Sequence, residues 1–167
     1  QAIEPGSTPR LLIIRPGGMG DMILLLPVIR ELTDKFPESE LTIVCERRNL
    51  EVLKLAGVRA AILTYDANPF VFMWRLMRLK PDIALDTEQF HNFSALFGLF
   101  SRAPVRIGFK INPRRNPLYT HLSGYSPDGP ETGEFVRLLE PLGFQSGQTG
   151  LSGIFPGAMP AMHDGLR

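Results

Sequence analysis

Leu11-Leu12-Ile13-Ile14-Arg15-Pro16-Gly17-Gly18-Met19-Gly20-Asp21-Met22-Ile23-Leu24-Leu25-Leu26-Pro27 is the stretch on which the fold turns. It opens with a short, continuous apolar run, the pattern of a strand covered on both faces. A turn with three glycines follows, then one acid, then apolar residues at helical spacing. In an open α/β sheet the turn after the first strand faces the ligand crevice, at the carboxyl ends of the strands. Gly17, Gly18 and Gly20 carry no Cβ and let backbone come close to a ligand, with Met19 between them. Asp21 is the one acid of that turn. A carboxylate there either caps the helix or does chemistry, and the pattern alone leaves both open. As a cap it is worth about 1 kcal/mol.

Working outward, strands are expected at 11–15, 41–45, 60–64, 82–86 and 105–109, and helices near 21–36, 49–56, 69–79, 92–101 and 134–142. This alternation is the rhythm of a parallel sheet with helices on both faces, a Rossmann-like doubly wound α/β domain. Pro27 cannot donate to a helical ladder, so the first helix either kinks there or restarts at Pro27 after an irregular turn. The restart is the favoured expectation. Residues 110–133 read as a long loop, the kind that is functional or disordered. Residues 1–10 read as a disordered N-terminal segment of a piece cut from a longer chain. Residues 11–144 read as one domain, and 145–167 as a linker or the start of a missing domain.

Composition narrows the function classes. The 167 residues are 44% hydrophobic, enough for one domain with a real core. A formal net charge of +1 gives no global sign of a nucleic-acid partner. The single cysteine, Cys45, excludes an intrachain disulfide and reads as a buried, inert thiol. No apolar stretch approaches the length of a membrane span. The glycine turn gives neither G-x-G-x-x-G nor G-x-x-x-x-G-K-[ST], which weighs against a Rossmann dinucleotide site or a Walker-type nucleotide site.

A longer comparison is more specific. The string Ile14 to Leu32, followed by Phe36-Pro37, resembles the opening of the heptosyltransferases, family 9 of the glycosyltransferases. In order after it come Pro81-Asp82-Ile83-Ala84-Leu85-Asp86, Ser94-Ala95-Leu96 and Ala103-Pro104-Val105-Arg106-Ile107-Gly108-Phe109, similar to that family's fourth strand, helix and fifth strand. A third match is Phe135-Val136-Arg137-Leu138-Leu139-Glu140-Pro141-Leu142-Gly143. The resemblance implies the N-terminal half of a GT-B glycosyltransferase, in which two Rossmann-like domains face each other across a cleft. The N-terminal half binds the acceptor and the other binds the nucleotide-sugar. It implies inverting transfer of a heptose from ADP-heptose to the lipopolysaccharide core, in the bacterial cytoplasm or at the inner face of its membrane. No metal and no cofactor are implied. The acid of the glycine turn, Asp21 here, is implied as general base, with Gly17, Gly18, Met19 and Gly20 lining the substrate site. On this reading the chain alone is inactive, because the donor half is absent.

The chain departs from the family after the fourth strand, where it reads Asp86-Thr87-Glu88-Gln89-Phe90-His91-Asn92-Phe93. Glu88 and His91 either touch a sugar or cap the next helix. Arg102, Arg106, Lys110, Arg114 and Arg115 lie close together with no acid among them. Arginine suits bidentate recognition of phosphate or carboxylate, so Lys110, Arg114 and Arg115 are expected to meet an anionic glycolipid acceptor. The residues Phe70 to Lys80 form a basic amphipathic stripe, expected to face the core, with contact to a membrane surface as the alternative. The competing function class is a non-catalytic Rossmann-like module that binds an acidic glycan or a protein partner.

Overall fold

A computed structural model describes residues 8–144. The assignments made above for residues 1–7 and 145–167 lie outside the described residues. Six strands, β1 (Arg10–Arg15), β2 (Glu40–Cys45), β3 (Ala61–Thr64), β4 (Ile83–Asp86), β5 (Val105–Phe109) and β6 (His121–Ser123), form one sheet in the order β3-β2-β1-β4-β5-β6. Every pairing is parallel, with Leu11 opposite Leu41 on one side and Ile83 on the other. This is the doubly wound, Rossmann-like arrangement.

The five α-helices are α1 (Met19–Lys35), α2 (Leu50–Leu55), α3 (Pro69–Leu79), α4 (Phe93–Phe100) and α5 (Glu131–Arg137). Alternate side chains of the strands feed two cores. Leu11, Ile13, Ile43 and Leu85 pack with α1, α2 and α5. Leu12, Ile14, Val44 and Ala84 pack with Phe72 and Leu76 of α3 and Phe97 of α4. β1 therefore sends its chain to one face, through α1, and its neighbour β4 sends its chain to the other, through α4. The crevice of a doubly wound sheet opens at such a reversal, outside the carboxyl ends of the strands.

Three features differ from the sequence reading. First, α1 runs unbroken from Met19 to Lys35 with Pro27 inside it, so the restart at Pro27 is corrected. A proline there costs the helix about 3 kcal/mol. Burial of Met22, Leu25 and Leu26 before it and of Val28, Ile29 and Leu32 after it offsets that loss. Second, the stretch 110–133 is not one loop. It contains the edge strand β6, which pairs with β5 through Ile107–His121 and Gly108–Leu122. Third, the stripe on α3 is mostly exposed, with only Phe72 and Leu76 of that helix buried. The helix is nonetheless well started: Asn68 Oδ1 accepts from the backbone N–H of Phe70 and of Val71, both at 3.1 Å, and Pro69 occupies the first turn.

Candidate functional site

The carboxyl end of β1 carries a charged pair that the fold builds with care. Gly17 has φ +135°, a backbone conformation that L side chains rarely adopt. A Cβ at Gly17 would lie 3.3 Å from the Arg15 guanidinium and 3.5 Å from Asp21 Oδ2, so the turn closes directly over these two side chains. The Gly17 carbonyl accepts from Nδ2 of buried Asn49 at 3.0 Å, which ties the turn to the chain that follows β2. Gly18, with extended backbone, is the N-cap of α1, and its carbonyl accepts from Met22 N–H. Asp21 is thus in the first turn of α1 and is not its cap. That corrects the capping alternative.

Arg15 is the unexpected member. It ends an apolar strand, and its side chain is only 3% exposed. One guanidinium nitrogen donates to the Thr87 carbonyl at 2.7 Å, and the other donates to Asp21 Oδ2 at 2.5 Å. Its Cζ sits 5.4 Å from the centre of the Phe135 ring. Thr87 in turn donates its N–H and its hydroxyl to the Ile14 carbonyl. These bonds lock the ends of β1 and β4 together at the reversal. Asp21 keeps 44% of its side chain exposed, and its Oδ1 has no protein hydrogen-bond partner among the described residues. A carboxylate held at one oxygen and open at the other can accept a proton from a bound hydroxyl.

Beside this pair stands a second acid. Glu131, at the start of α5, accepts hydrogen bonds from the Gln89 amide and, at 3.3 Å, from the Tyr125 hydroxyl. Burial pushes its carboxyl above the ordinary glutamate range. The Tyr125 bond and the Arg15 charge pull it down, and the charges of Asp21 and Glu134 push it further up. The sequence reading missed Arg15, Gln89 and Glu131. The signals were a lone arginine closing an apolar strand and an acid directly after Pro130.

The other expected site residues divide. Met19 and Gly20 are exposed on the first turn of α1, and Gly17 and Gly18 are partly exposed. Lys110 and Arg114 are exposed, just past the carboxyl end of β5. His91 is exposed, in the loop between β4 and α4. Glu88 is buried, and its Oε1 accepts from the backbone N–H of Phe90 at 2.9 Å and of His91 at 3.1 Å, so it shapes that loop. Arg115 points inward. It is 3% exposed and donates to Asp86 Oδ2 at 3.0 Å, to the Glu88 carbonyl at 2.7 Å and to Ser94 Oγ at 3.3 Å. The Tyr119 hydroxyl donates to the same Asp86 oxygen at 2.6 Å. Burial pushes the Asp86 carboxyl up, opposed by Arg115, Tyr119 and the Glu88 N–H. This network sits under the loop 87–92 and fixes its shape. Among the described residues no group of three or more His, Cys, Asp or Glu could hold a metal ion.

No protein-family model matches the sequence, and no curated protein matches it significantly. Solved structures do match its shape. A glycosyltransferase family 9 protein from Veillonella parvula superposes with a TM-score of 0.69 at 17% identity, over 89% of this chain and 44% of that one. E. coli heptosyltransferase WaaC, solved with ADP, gives 0.70 at 17% identity, over 84% of this chain and 49% of that one. E. coli ADP-heptose lps heptosyltransferase II gives 0.65 at 18% identity, over 83% of this chain and 41% of that one. The chain spans about half the length of these structures. Across that half, it has the Rossmann-like α/β fold of the family 9 heptosyltransferases.

Proposed function

We propose that this chain is the acceptor-binding half of a heptosyltransferase-like glycosyltransferase of the GT-B kind, with Asp21 as general base. The observation that carries the reading is the Arg15–Asp21 pair: a half-exposed carboxylate anchored by a buried guanidinium at the sheet's topological reversal. The likeness in fold to heptosyltransferases, one of them solved with ADP-2-deoxy-2-fluoro heptose, supports the substrate class. In this reading an acceptor hydroxyl lies against Asp21 Oδ1. Its oxygen forms the new bond to the sugar's anomeric carbon, on the face opposite the leaving ADP. The proton passes to Asp21, the bond from that carbon to the ADP phosphate breaks, and the configuration inverts. Arg15 holds the carboxylate in place during the transfer.

The glycine turn supplies backbone close to the sugar, and exposed His91, Lys110 and Arg114 suit the phosphates and carboxylates of a lipopolysaccharide-core acceptor. Glu88 and Arg115 act from beneath, by shaping the loop. No metal or cofactor enters the scheme. The donor nucleotide-sugar binds a second domain that faces this one across the cleft. In this reading the protein works in the cytoplasm, and its lipid-borne acceptor brings it into peripheral contact with the inner membrane. Among the described residues no helix is long and apolar enough to cross a membrane.

The test is NMR shift mapping with two ligands, ADP and a phosphorylated, Kdo-containing lipid A fragment. The expected result is a response to the fragment at Gly18, Asp21 and Lys110, with none to ADP. Saturable ADP binding at the glycine turn would reverse the assigned roles. In a protein carrying both halves, Asp21→Asn is expected to cost about 10²–10⁴ in rate with the fold intact. Full activity in that variant would sink the general-base role.

A further inference from the structure

The outer faces of α3 and α4 are apolar, aromatic and exposed, and they lie side by side. Phe70 is 86% exposed and Trp74 55%, with Val71 and Met77 on the same side of α3. On α4, Phe93, Leu96, Leu99 and Phe100 are exposed as well. The two helices are joined beneath by Phe72 against Phe97, with ring centres 4.8 Å apart, so their exposed sides form one continuous surface. Contiguous exposed apolar surface of this kind marks an interaction site on a soluble domain.

Charge decides the occupant. No acid occurs between Asp66 and Asp82, or between Glu88 and Asp128. Within those limits Arg75, Arg78, Lys80 and Arg102 are exposed around the two helices. None of them forms an ion pair with a carboxylate among the described residues. Arg78 lies 4.7 Å over the Trp74 ring, so the aromatic and the cation stand together. The whole chain carries a net charge of only +1, so this positive face is a local asymmetry. Protruding aromatics among long basic side chains are the composition of a helix lying in a lipid interface. There the rings enter the headgroup boundary, and arginine and lysine reach anionic headgroups.

We infer that the outer face of α3 and α4, centred on Phe70 and Trp74 and bordered by Arg75 and Arg78, docks this protein onto an anionic phospholipid surface. The N-terminal end of α3 and the loop before α4 both follow carboxyl ends of strands. The inference gives the membrane contact of the proposed function its surface, and its test needs neither acceptor nor nucleotide. It can fail while the transfer reading stands, and the reverse also holds.

Trp74 is the chain's only tryptophan, which makes the test direct. The chain is titrated with vesicles of phosphatidylglycerol and phosphatidylethanolamine, and separately with phosphatidylcholine vesicles, while Trp74 emission and co-flotation are followed. The expected result is a blue shift and flotation with the anionic vesicles only, reversed by high salt. Brominated lipid should quench Trp74. Arg75→Glu with Arg78→Glu should weaken partitioning at least about tenfold, since each basic residue near an anionic surface adds roughly a factor of five. Phe70→Ser should weaken it too, with an unchanged circular dichroism spectrum. Three results would overturn the inference: no response to anionic vesicles from the folded chain, binding indifferent to all of these substitutions, or a concentration-dependent dimer that the same substitutions abolish.

Discussion

At the scale of single residues, the site rests on two side chains and one backbone angle. Gly17 supplies the angle, buried Arg15 supplies the anchor, and Asp21 is left with one oxygen open. Asp21 was legible in the sequence because an acid after a glycine turn invites attention. Arg15 was not, because a charged residue at the end of an apolar run reads as the point where the strand meets solvent. Its burial becomes visible only once β4 delivers the Thr87 carbonyl and α5 delivers the Phe135 ring. Arg115 shows the converse error. Its place in a basic cluster suggested a ligand contact, but Asp86, far away in sequence, takes up its guanidinium. The charges in this cluster give a prediction. Glu131 is pushed above the ordinary glutamate range by burial first, and the Asp21 charge adds to that push while Arg15 opposes it. Asp21→Asn removes the like charge and leaves Arg15 uncompensated, so Glu131 should titrate at lower pH. Carboxyl-carbon NMR across pH 3 to about 8 reads this directly. The sign carries to stability as well. A raised carboxyl contributes below its unfolded value and loses that contribution as pH rises through the folded one. A Glu131 midpoint that Asp21→Asn leaves in place would mean that the two acids do not sense each other.

At the scale of elements, five strands were legible because each is a run of apolar residues separated by a helix-length interval. β6 was not, because three residues beginning with a histidine carry no periodicity. Its position depends on a contact between its neighbours. A Cβ at Gly108 of β5 would come within 2.4 Å of the Tyr119 ring, so the absence of a side chain there lets Tyr119 lie flat on the strand. From that seat its hydroxyl reaches Asp86, and the chain leaves it directly into β6. The continuity of α1 through Pro27 was equally hidden. It depends on apolar burial on both sides of the proline, which local pattern rules do not weigh. The prediction at this scale is a double-mutant cycle. Gly108→Ala should destabilise the fold by about 1–3 kcal/mol through overpacking against Tyr119. In a Tyr119→Leu background the same substitution should cost much less, because the obstructing ring is gone. Urea unfolding of the four proteins measures the coupling. Additive costs would show that the ring and the strand are not in register as described.

At the scale of the whole molecule, doubly wound topology followed from strand spacing, and the direction of the site followed from topology. Two cores on opposite faces of one sheet also bury groups that ionise only in alkali. Burial, aided by the charges of Asp66 and Glu46, pushes the Cys45 thiol up to about 12. Tyr65 is pushed up by burial and by its hydrogen bond to Glu46, and Tyr119 by burial and the neighbouring Asp86 charge. All three shifts have the same sign. The unfolded chain gives up a thiol proton near pH ~8.5 and phenol protons near pH ~10, while the folded chain still holds them. Above these values the unfolded state binds fewer protons than the native one, so stability must fall as pH rises. Cys45 acts first, because its unfolded value is the lowest of the three. Its full contribution to the slope is about 1.4 kcal/mol per pH unit. Urea midpoints measured from pH 7.5 to about 10 should therefore drop for the natural sequence. They should drop less for Cys45→Ala, which starts lower because a buried side chain has been trimmed but follows a flatter curve. Above pH ~10 both curves should steepen, since the phenols remain in both, and they should keep diverging until the folded thiol itself titrates at about 12. A natural-sequence midpoint that holds steady to pH ~10, or an equal fall in Cys45→Ala, would mean that the thiol at the carboxyl end of β2 is open to solvent rather than enclosed in the core beneath α1 and α2.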